Sequence, residues 1–398
     1  MKVSLFYLPG VGTREQVESG MAGLRPELYQ DMLREVSAQA RLADDLGYDS
    51  ISFTEHHFHV EGFELSNNPV LLDLCIAKQT RNLRVGQLGI VLPAQNPIRV
   101  AEDIAMLDHM SGGRANAGFA RGYQRRWVDT MAQQLHGIHG ATPGQHDEID
   151  RANRLAFEEH FQIIKRAWTE DMLSFKGRYW QIPVEGTPWD IQATRNWGAG
   201  VGPDNIVREL GVVPKPLQKP HPPIFQPFAS SENTIRWCAR ENVTAILPPM
   251  RASLQNQLYA IYGEEAASAG RQLAPGEGLG VLRDLIICDT DEEARRWWAH
   301  GAAFCGAAWF APFHFGDVLR EPGVTEGPSR DQMLSDGTLL VGTVETVSRQ
   351  LEKLLETTPV EWIFAWMYNG LIPHEVNMRS IELFKAKVLP RFETATRN

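Results

Sequence analysis

Three histidines and a glutamate stand close together in the segment Glu55-His56-His57-Phe58-His59. They directly follow residues 50–54, Ser-Ile-Ser-Phe-Thr, whose alternation of polar and apolar residues predicts a short strand. An imidazole changes its protonation near neutral pH, so His56 could donate or accept a proton, and a carboxylate beside it could orient the ring. A single histidine more often makes a structural hydrogen bond, but three at one strand end put catalysis on an equal footing with that alternative.

His57 and His59 also form a His-x-His pair, whose side chains point to one side of an extended segment. Such a pair can bind zinc, so a metal-dependent barrel hydrolase is the alternative class of enzyme. That enzyme would need further histidine and aspartate ligands after later strands, and the sequence offers no such set. We therefore expect no metal site and place the chemistry at His56.

A second group of candidate residues surrounds Arg121. Residues 114–119 predict a strand rich in alanine and glycine, and Asn116, Gly118 and Ala120 share one of its faces. Small side chains on that face leave volume for a flat ligand. Arg121 follows at the end of the strand, where its planar fork of donors could bind a phosphate. Turn glycines and a surface arginine are the alternative interpretation.

A third group lies in residues 229–234, between a predicted strand at residues 223–227 and a helix. The hydroxyl groups of Ser230, Ser231 and Thr234, with the free N–H groups of a helix N-terminus, suit an anion such as phosphate. Helix capping alone would use the same side chains. The two roles are compatible, because one serine can cap the helix while the next contacts a phosphate.

The elements that must position these residues alternate between strands and helices. Helical periodicity runs from Pro26 to Gly47, and over residues 69–80 and 97–110. Strands joined through helices pair in parallel, and eight such units favour a (β/α)8 TIM barrel over an open Rossmann sheet. No G-x-G-x-x-G follows the first strand, where a dinucleotide fold would require it. The predicted strands cover residues 2–7, 50–54, 83–92, 114–119, 223–227, 244–247, 279–288 and 362–367.

Two stretches interrupt this alternation, one after strand 4 and one before strand 5. Residues 123–150 are rich in histidine, and residues 177–214 are rich in tryptophan, glycine and proline. Long loops that follow barrel strands lie at the catalytic face, so we interpret both stretches as insertions that line the substrate site. Tyr123 and Trp127 are the candidate substrate contacts. No repeat or linker divides the chain, so a single domain over residues 1–398 is expected.

The composition excludes several classes of protein. In 398 residues, 43% are hydrophobic and 22% are charged, which is the usage of a folded globular protein rather than a disordered one. The net charge of −10 disfavours nucleic acid as a partner. No apolar run is long enough to span a membrane, and no signal peptide is recognisable. The scattered cysteines indicate a reducing, cytoplasmic location.

With these residues considered, the chain resembles the bacterial luciferase-like, flavin-dependent monooxygenases of the FMN branch. The similarity extends over nearly the whole chain, and residues 89–123 form its most specific part. The matching stretches are FTEHHF and NNP at residues 53–58 and 67–69, GIVLPAQNPIRVAEDIAMLDHMSGGR at 89–114, GFARGYQ at 118–124, KPHPPIF, SSENT, and VGTVETV at 341–347.

This resemblance implies a barrel that binds reduced FMN, supplied by a separate flavin reductase. The flavin would react with O2 to form a C4a-(hydro)peroxyflavin, which oxygenates a small organic substrate. The resemblance also implies a homodimer and a non-prolyl cis peptide bond at Leu88-Gly89. In this family His56 would be the catalytic histidine, and the flavin contacts would be Leu88, Gly89, Asn116, Arg121, Ser230, Ser231 and Thr234.

Two alternatives remain within the same fold: an oxidoreductase that uses the deazaflavin F420, and a flavin-binding protein without oxygenase activity. Light-emitting luciferases have a reactive cysteine where this chain has Ala120. The resemblance therefore does not imply bioluminescence.

Overall fold

The computed structural model describes residues 1–393, which fall into two compact units. The first unit comprises Met1–Ile90 and the chain from Ile224 onward, and the second comprises Val91–Pro223. Whether the chain is one domain stays a prediction. Among the described residues, no helix combines the length and apolar character required to cross a bilayer.

Strands alternate with helices along the whole described chain in the order of a (β/α)8 barrel, which confirms the predicted fold class. Seven of the barrel strands belong to the first unit and one, β4, to the second. The strands are β1 (Lys2–Tyr7), β2 (Ser50–Phe53), β3 (Arg84–Gln87), β4 (Ala115–Ala120), β5 (Ile224–Gln226), β6 (Thr244–Leu247), β7 (Leu279–Ile287) and β8 (Trp362–Met367).

The strands of the first unit form one parallel array. β1 pairs with β2 and β8, β2 pairs with β3, and β8, β7, β6 and β5 pair in succession. A short strand at Leu340–Gly342 extends the array beside β7. The helices of this unit are Arg14–Glu18, Pro26–Leu46, Pro69–Ala77, Glu232–Glu241, Ala252–Ser268, Asp291–His300, Ala302–Cys305, Arg330–Ser335, Val344–Thr357, His374–Leu383 and Pro390–Glu393.

Alternation along β1 sorts its side chains between two environments. The Ser4 hydroxyl lies 3.2 Å from that of Ser52 on β2. Tyr7 points the other way and donates a hydrogen bond of 2.6 Å to Gln39 in the helix Pro26–Leu46. Ser4, and Phe6 two residues later, therefore face away from the helices, as period-2 alternation requires.

The second unit packs its strand against a long helix. Phe119 of β4 makes an edge contact with Phe161 at 6.1 Å between ring centroids. Asn116 and Gly118 lie on the opposite face of β4 by alternation. The helices here are Pro97–Met110, Arg125–Met131, Glu148–Thr169 and Gln192–Trp197, and Phe175–Lys176 pairs with Gln181–Ile182 as a small antiparallel sheet.

Several boundaries differ from the predicted ones. The run 83–92 is not one strand, because β3 ends at Gln87 and a second short strand, Ile90–Val91, begins after the Leu88-Gly89 bond. The helix predicted over residues 69–80 ends at Ala77. Both insertions contain regular structure, since Arg125–Met131 and Gln192–Trp197 are helical.

A buried histidine makes the stability of the folded second unit depend on pH. The ring of His160 accepts a hydrogen bond from the Trp180 indole at 2.7 Å, and its Nδ1 donates one to the Leu92 carbonyl at 2.7 Å. Burial lowers the pKa of His160 from 6.5 to about 4. Unfolding therefore takes up a proton between these two pH values, so the stability supplied by the neutral ring is present above pH 6.5 and is lost on acidification.

We expect the free energy of unfolding to fall by about 2 kcal/mol from pH 7.5 to pH 5 because of this histidine. The figure follows from about 1.36 kcal/mol for each pH unit below the unfolded-state pKa of His160. The variant His160→Gln removes the titrating ring and keeps one donor and one acceptor. Urea unfolding should show a wild-type advantage at pH 7.5 that shrinks at pH 5. An advantage that stays constant with pH would contradict the prediction.

Candidate active site

His56 lies in a loop that is tied down by its own backbone contacts. This loop covers residues 54–68 and connects β2 to the helix Pro69–Ala77, which Asn68 caps. The His56 N–H donates to the Ser66 carbonyl at 3.0 Å, and the Asn67 side chain donates to the His56 carbonyl at 3.2 Å. His56 is 7% exposed. Its ring is therefore held at the carboxyl end of a barrel strand, where catalytic residues of this architecture lie.

The His56 ring has polar groups near both nitrogens. Nδ1 lies 3.1 Å from the Thr54 hydroxyl, and Nε2 lies 3.6 Å from Oε1 of Glu64. Burial, with the nearby imidazoles of His59 and His57, holds the pKa of His56 well below its usual value of 6.5. The ring is thus neutral at pH 7, with one nitrogen that donates and one that accepts a proton.

The His-x-His pair does not converge on one point. The His57 Nε2 lies 3.1 Å from Oε1 of Glu55, whereas the His59 Nδ1 lies 2.8 Å from the Phe63 carbonyl and 3.4 Å from Oε2 of Glu64. Within the described residues, no group of three or more His, Cys, Asp or Glu side chains is arranged to hold a metal ion. The geometry thus provides no ligand set for the hydrolase alternative.

Glu64 and Trp309 belong to this cluster, and no sequence motif indicated either residue. Glu64 is 2% exposed, and its Oε2 accepts a hydrogen bond of 2.8 Å from the Trp309 indole. The Trp309 ring also lies 4.9 Å from the ring of His59. Trp309 is far away in the sequence, between β7 and β8, so no local pattern could associate it with the histidine loop.

The predicted cis peptide bond at Leu88-Gly89 is confirmed. Leu88 is 1% exposed and joins the apolar cluster that contains Phe6 and Trp366. The register of β2 with β3 places Ser52 beside Gly86 on the same face as Phe6. These small residues leave space on this part of the wall for a planar ligand.

The serine segment forms a helix cap. The Ser231 hydroxyl accepts from the Thr234 N–H at 3.4 Å and donates to the Thr234 hydroxyl at 3.0 Å, at the start of the helix Glu232–Glu241. Ser230 precedes this cap and is partly exposed. The capping role is therefore observed, and phosphate binding by the three side chains stays a prediction.

Arg121 lies in a charged cluster of the second unit. Its Nη1 donates to Oδ1 of Asp150 at 2.6 Å, and Nη2 of Arg154 lies 4.0 Å from the other oxygen of that carboxylate. Burial, with the nearby Arg121 charge, lowers the pKa of Arg154. Two guanidinium groups share the Asp150 carboxylate, and Glu158 is a second acidic neighbour of Arg154. The planar donors of Arg121 suit a phosphate. The sequence motif indicated Arg121 but neither Asp150 nor Arg154.

The remaining predicted contacts have different surroundings. Asn116 is 3% exposed on β4. The Tyr123 hydroxyl accepts a hydrogen bond of 2.8 Å from Gln124. Trp127 is 1% exposed and packs in a cluster with Val91, Ala94 and Val128, which is the environment of a core residue. Substrate contact by Tyr123 and Trp127 stays a prediction.

A buried carboxamide at the carboxyl end of β8 indicates the chemistry of the ligand that this site could bind. Asn369 is 2% exposed, and neither its Nδ2 nor its Oδ1 has a hydrogen-bond partner among residues 1–393. Buried polar groups are rarely left unsatisfied, so a ligand with neighbouring donors and acceptors is expected to complete them. The polar edge of a flavin, with its alternating C=O and N–H groups, has this chemistry. Together with the small residues at Ser52 and Gly86, Asn369 fits a flavin.

Comparison with known proteins identifies a family and several relatives of this chain. The family model described as luciferase-like monooxygenase matches residues 1–361. The chain is 25% identical over 340 residues to 3,6-diketocamphane 1,6-monooxygenase of Pseudomonas putida. The aligned region covers 79% of this chain and 81% of that protein. It is also 25% identical over 270 residues to the oxygenase component of a flavin-dependent trigonelline monooxygenase of Acinetobacter baylyi, covering 68% of this chain and 62% of that protein.

A solved structure shows the same fold. It is the oxygenating constituent of 3,6-diketocamphane monooxygenase from Pseudomonas putida, a type II Baeyer-Villiger monooxygenase in complex with FMN. The two structures superpose with a TM-score of 0.71 at 21% identity, over 98% of each chain.

Proposed function

Because the chain belongs to the luciferase-like monooxygenase family, we propose that it is an oxygenase that uses reduced FMN and O2. One oxygen atom enters a small organic substrate and the other leaves as water, with two electrons and two protons supplied by the reduced flavin. The observation that carries the proposal is the buried, neutral His56 at the carboxyl end of β2.

Bound reduced FMN supplies the electrons that activate O2, while the protein supplies binding, proton transfer and a dry cavity. His56 holds or transfers a proton at a ring nitrogen beside the reacting oxygen atoms. A neutral imidazole suits this task, because it both donates and accepts at pH 7. Burial of the loop residues around it limits the access of water to this step.

Each unit has its own proposed contacts for the phosphate of FMN. In the second unit, Arg121 offers its guanidinium group, and Arg154 beside it adds positive charge. In the first unit, Ser230, Ser231 and Thr234 offer hydroxyl groups at a helix N-terminus. Leu88, Gly89 and Asn116 are the proposed contacts to the flavin ring.

The substrate would contact an aromatic wall, defined here as Phe6, Phe228, Phe310, Trp366 and Tyr368. Trp366 lies 5.5 Å from Phe6, 6.1 Å from Phe228 and 5.4 Å from Tyr368 between ring centroids. Such a wall favours an apolar substrate. The named activity of the Pseudomonas putida relatives suggests a carbonyl-bearing one. Tyr123 and Trp127 stay proposed contacts at the substrate end.

Three further properties are proposals on the same basis. A relative named as an oxygenase component supports a separate flavin reductase as the electron donor. A homodimer and a cytoplasmic location rest on the family resemblance and the composition. We also propose that FMN, rather than F420, is the physiological flavin.

The direct test supplies the purified protein with photoreduced FMN, 18O2 and a panel of cyclic ketones. We expect one 18O atom in the organic product. A control with oxidised FMN and NADH but no reductase should give no labelled product, because no reduced flavin is available. Tightly bound zinc with O2-independent hydrolysis would instead support the metal hydrolase. Reduced F420 that replaces FMN without any O2 uptake, or O2 uptake that yields only H2O2, would also overturn the proposal.

A further inference from the structure

Glu64 lies between two histidines and one tryptophan. Its Oε1 lies 3.6 Å from Nε2 of His56, whereas its Oε2 lies 3.4 Å from Nδ1 of His59 and 2.8 Å from the Trp309 indole nitrogen. The side chains of Glu64 and His59 are both 1% exposed. A carboxylate this deeply buried is costly unless hydrogen-bond donors surround it.

The proton positions on the Oε2 side follow from chemistry alone. The Phe63 carbonyl lies 2.8 Å from Nδ1 of His59 and can only accept, so that nitrogen carries a proton. The Trp309 indole nitrogen can only donate. The Trp309 indole therefore donates to Oε2 of Glu64, whereas the single N–H of His59 Nδ1 is directed at the Phe63 carbonyl. The indole hydrogen bond fixes the orientation of the carboxylate.

On the Oε1 side the carboxylate faces the proposed catalytic histidine. The Thr54 hydroxyl, 3.1 Å from Nδ1 of His56, can rotate to donate or to accept and so tolerates either tautomer of the neutral ring. The carboxylate oxygen is an acceptor only. With Glu64 ionised, its negative charge 3.6 Å from Nε2 lowers the energy of the tautomer that has its proton there.

We propose that Glu64 is a positioning residue that keeps the proton of His56 on Nε2, and that Trp309 holds Glu64 in the orientation this requires. A buried acidic side chain thereby determines which nitrogen of His56 donates and which accepts. The role of this tautomer in catalysis rests on the proposed function, whereas the tautomer itself is a property of the protein without ligand.

The variant Glu64→Gln tests the proposal with almost no change of shape. A carboxamide has one acceptor oxygen and one NH2 group. The Trp309 indole donates to the oxygen at the Oε2 position, so the NH2 group takes the Oε1 position and faces Nε2 of His56. A donor there favours the tautomer that has a lone pair on Nε2. We therefore expect His56 to switch to the tautomer protonated on Nδ1.

The measurement is 15N NMR of the full-length protein labelled at histidine, at pH 7.5, with the His56 signals assigned from a His56→Gln variant. In the wild-type protein Nε2 should show the protonated shift and Nδ1 the unprotonated one, and the two should exchange in Glu64→Gln. In the double variant Glu64→Gln/Trp309→Phe, the carboxamide loses one fixed donor, so a mixture of tautomers is expected.

Glu55→Gln is the matched control, because Glu55 is also 2% exposed and lies 3.1 Å from a histidine, His57. It should leave the His56 signals in place. A wild-type His56 already protonated on Nδ1 would overturn the proposal. So would a folded Glu64→Gln protein, verified by its near-UV spectrum, whose His56 keeps the proton on Nε2.

Turnover provides a second readout. With reduced FMN, Glu64→Gln should form oxygenated product at least about tenfold more slowly with an unchanged KM, since proton transfer is impaired rather than binding. An unchanged rate despite a switched tautomer would overturn the catalytic part of the proposal. Absence of product from the wild-type protein would count against the proposed function, and the tautomer result would still decide the role of Glu64.

Discussion

Replacing His56 by alanine is expected to lower the rate of oxygenated product formation by roughly 10²- to 10⁴-fold, the range associated with a positioned acid or base. Flavin affinity should change little, because the ring lies against Thr54 and Glu64 and the proposed phosphate contacts are other residues, Arg121 and the serine segment. The O2 that is consumed should appear as H2O2. The measurement compares oxygenated product with H2O2 under a fixed supply of photoreduced FMN.

His57→Ala is the matched control for the His56 variant. It removes the same side chain from the adjacent position, where the ring faces Glu55 instead. We expect the ratio of product to H2O2 in this variant to stay close to that of the wild-type protein. If His56→Ala kept the wild-type ratio, His56 would have no part in the reaction.

The second large effect is expected at Arg121. Removal of a charge-assisted contact to phosphate typically costs about 1.5 to 3 kcal/mol, so Arg121→Ala should weaken FMN binding by roughly 10- to 150-fold. Riboflavin, which has the same ring but no phosphate, should bind nearly as well as to the wild-type protein. Equilibrium titration of both flavins, with intrinsic fluorescence as the signal, measures this difference.

The design must account for the partner of Arg121. Truncating the arginine leaves Asp150 with only the more distant Arg154, so a loss of affinity could arise from an uncompensated carboxylate. The double variant Arg121→Ala/Asp150→Asn removes both charges and should keep the selective loss of FMN. Arg151→Ala is the control for net charge, because Arg151 is an exposed arginine on the helix that also contains Asp150. Equal losses for FMN and riboflavin would exclude a phosphate role.

Much of the scaffold could be predicted because its signals are local. The helix Pro97–Met110 begins and ends as predicted, since Asn96 caps its first turn and a Ser-Gly-Gly sequence follows its last residue. Strands β1, β6 and β8 also have the predicted bounds. The run 83–92 was predicted wrongly as one strand, because its apolar composition persists across the cis bond that interrupts the ladder.

The candidate site was predictable only in part. His56 was identified because a cluster of titratable residues after a strand is visible in the sequence itself. Trp127 was grouped with the substrate contacts because it lies in a long insertion, yet its side chain packs in a core cluster. Insertion length indicates where a loop lies and does not indicate which of its side chains are buried.

The sequence by itself determined the alternation of strands and helices, the caps and the position of the histidine loop, because each depends on residues within a few turns of one another. Only the tertiary structure decided that Trp309 donates to Glu64 and that Asp150 lies between Arg121 and Arg154. It also decided that Asn369 is buried with no hydrogen-bond partner in the described part of the chain. These contacts depend on packing, which brings together side chains that no short-range preference relates. The charge and proton positions at the candidate site are therefore properties of the folded chain.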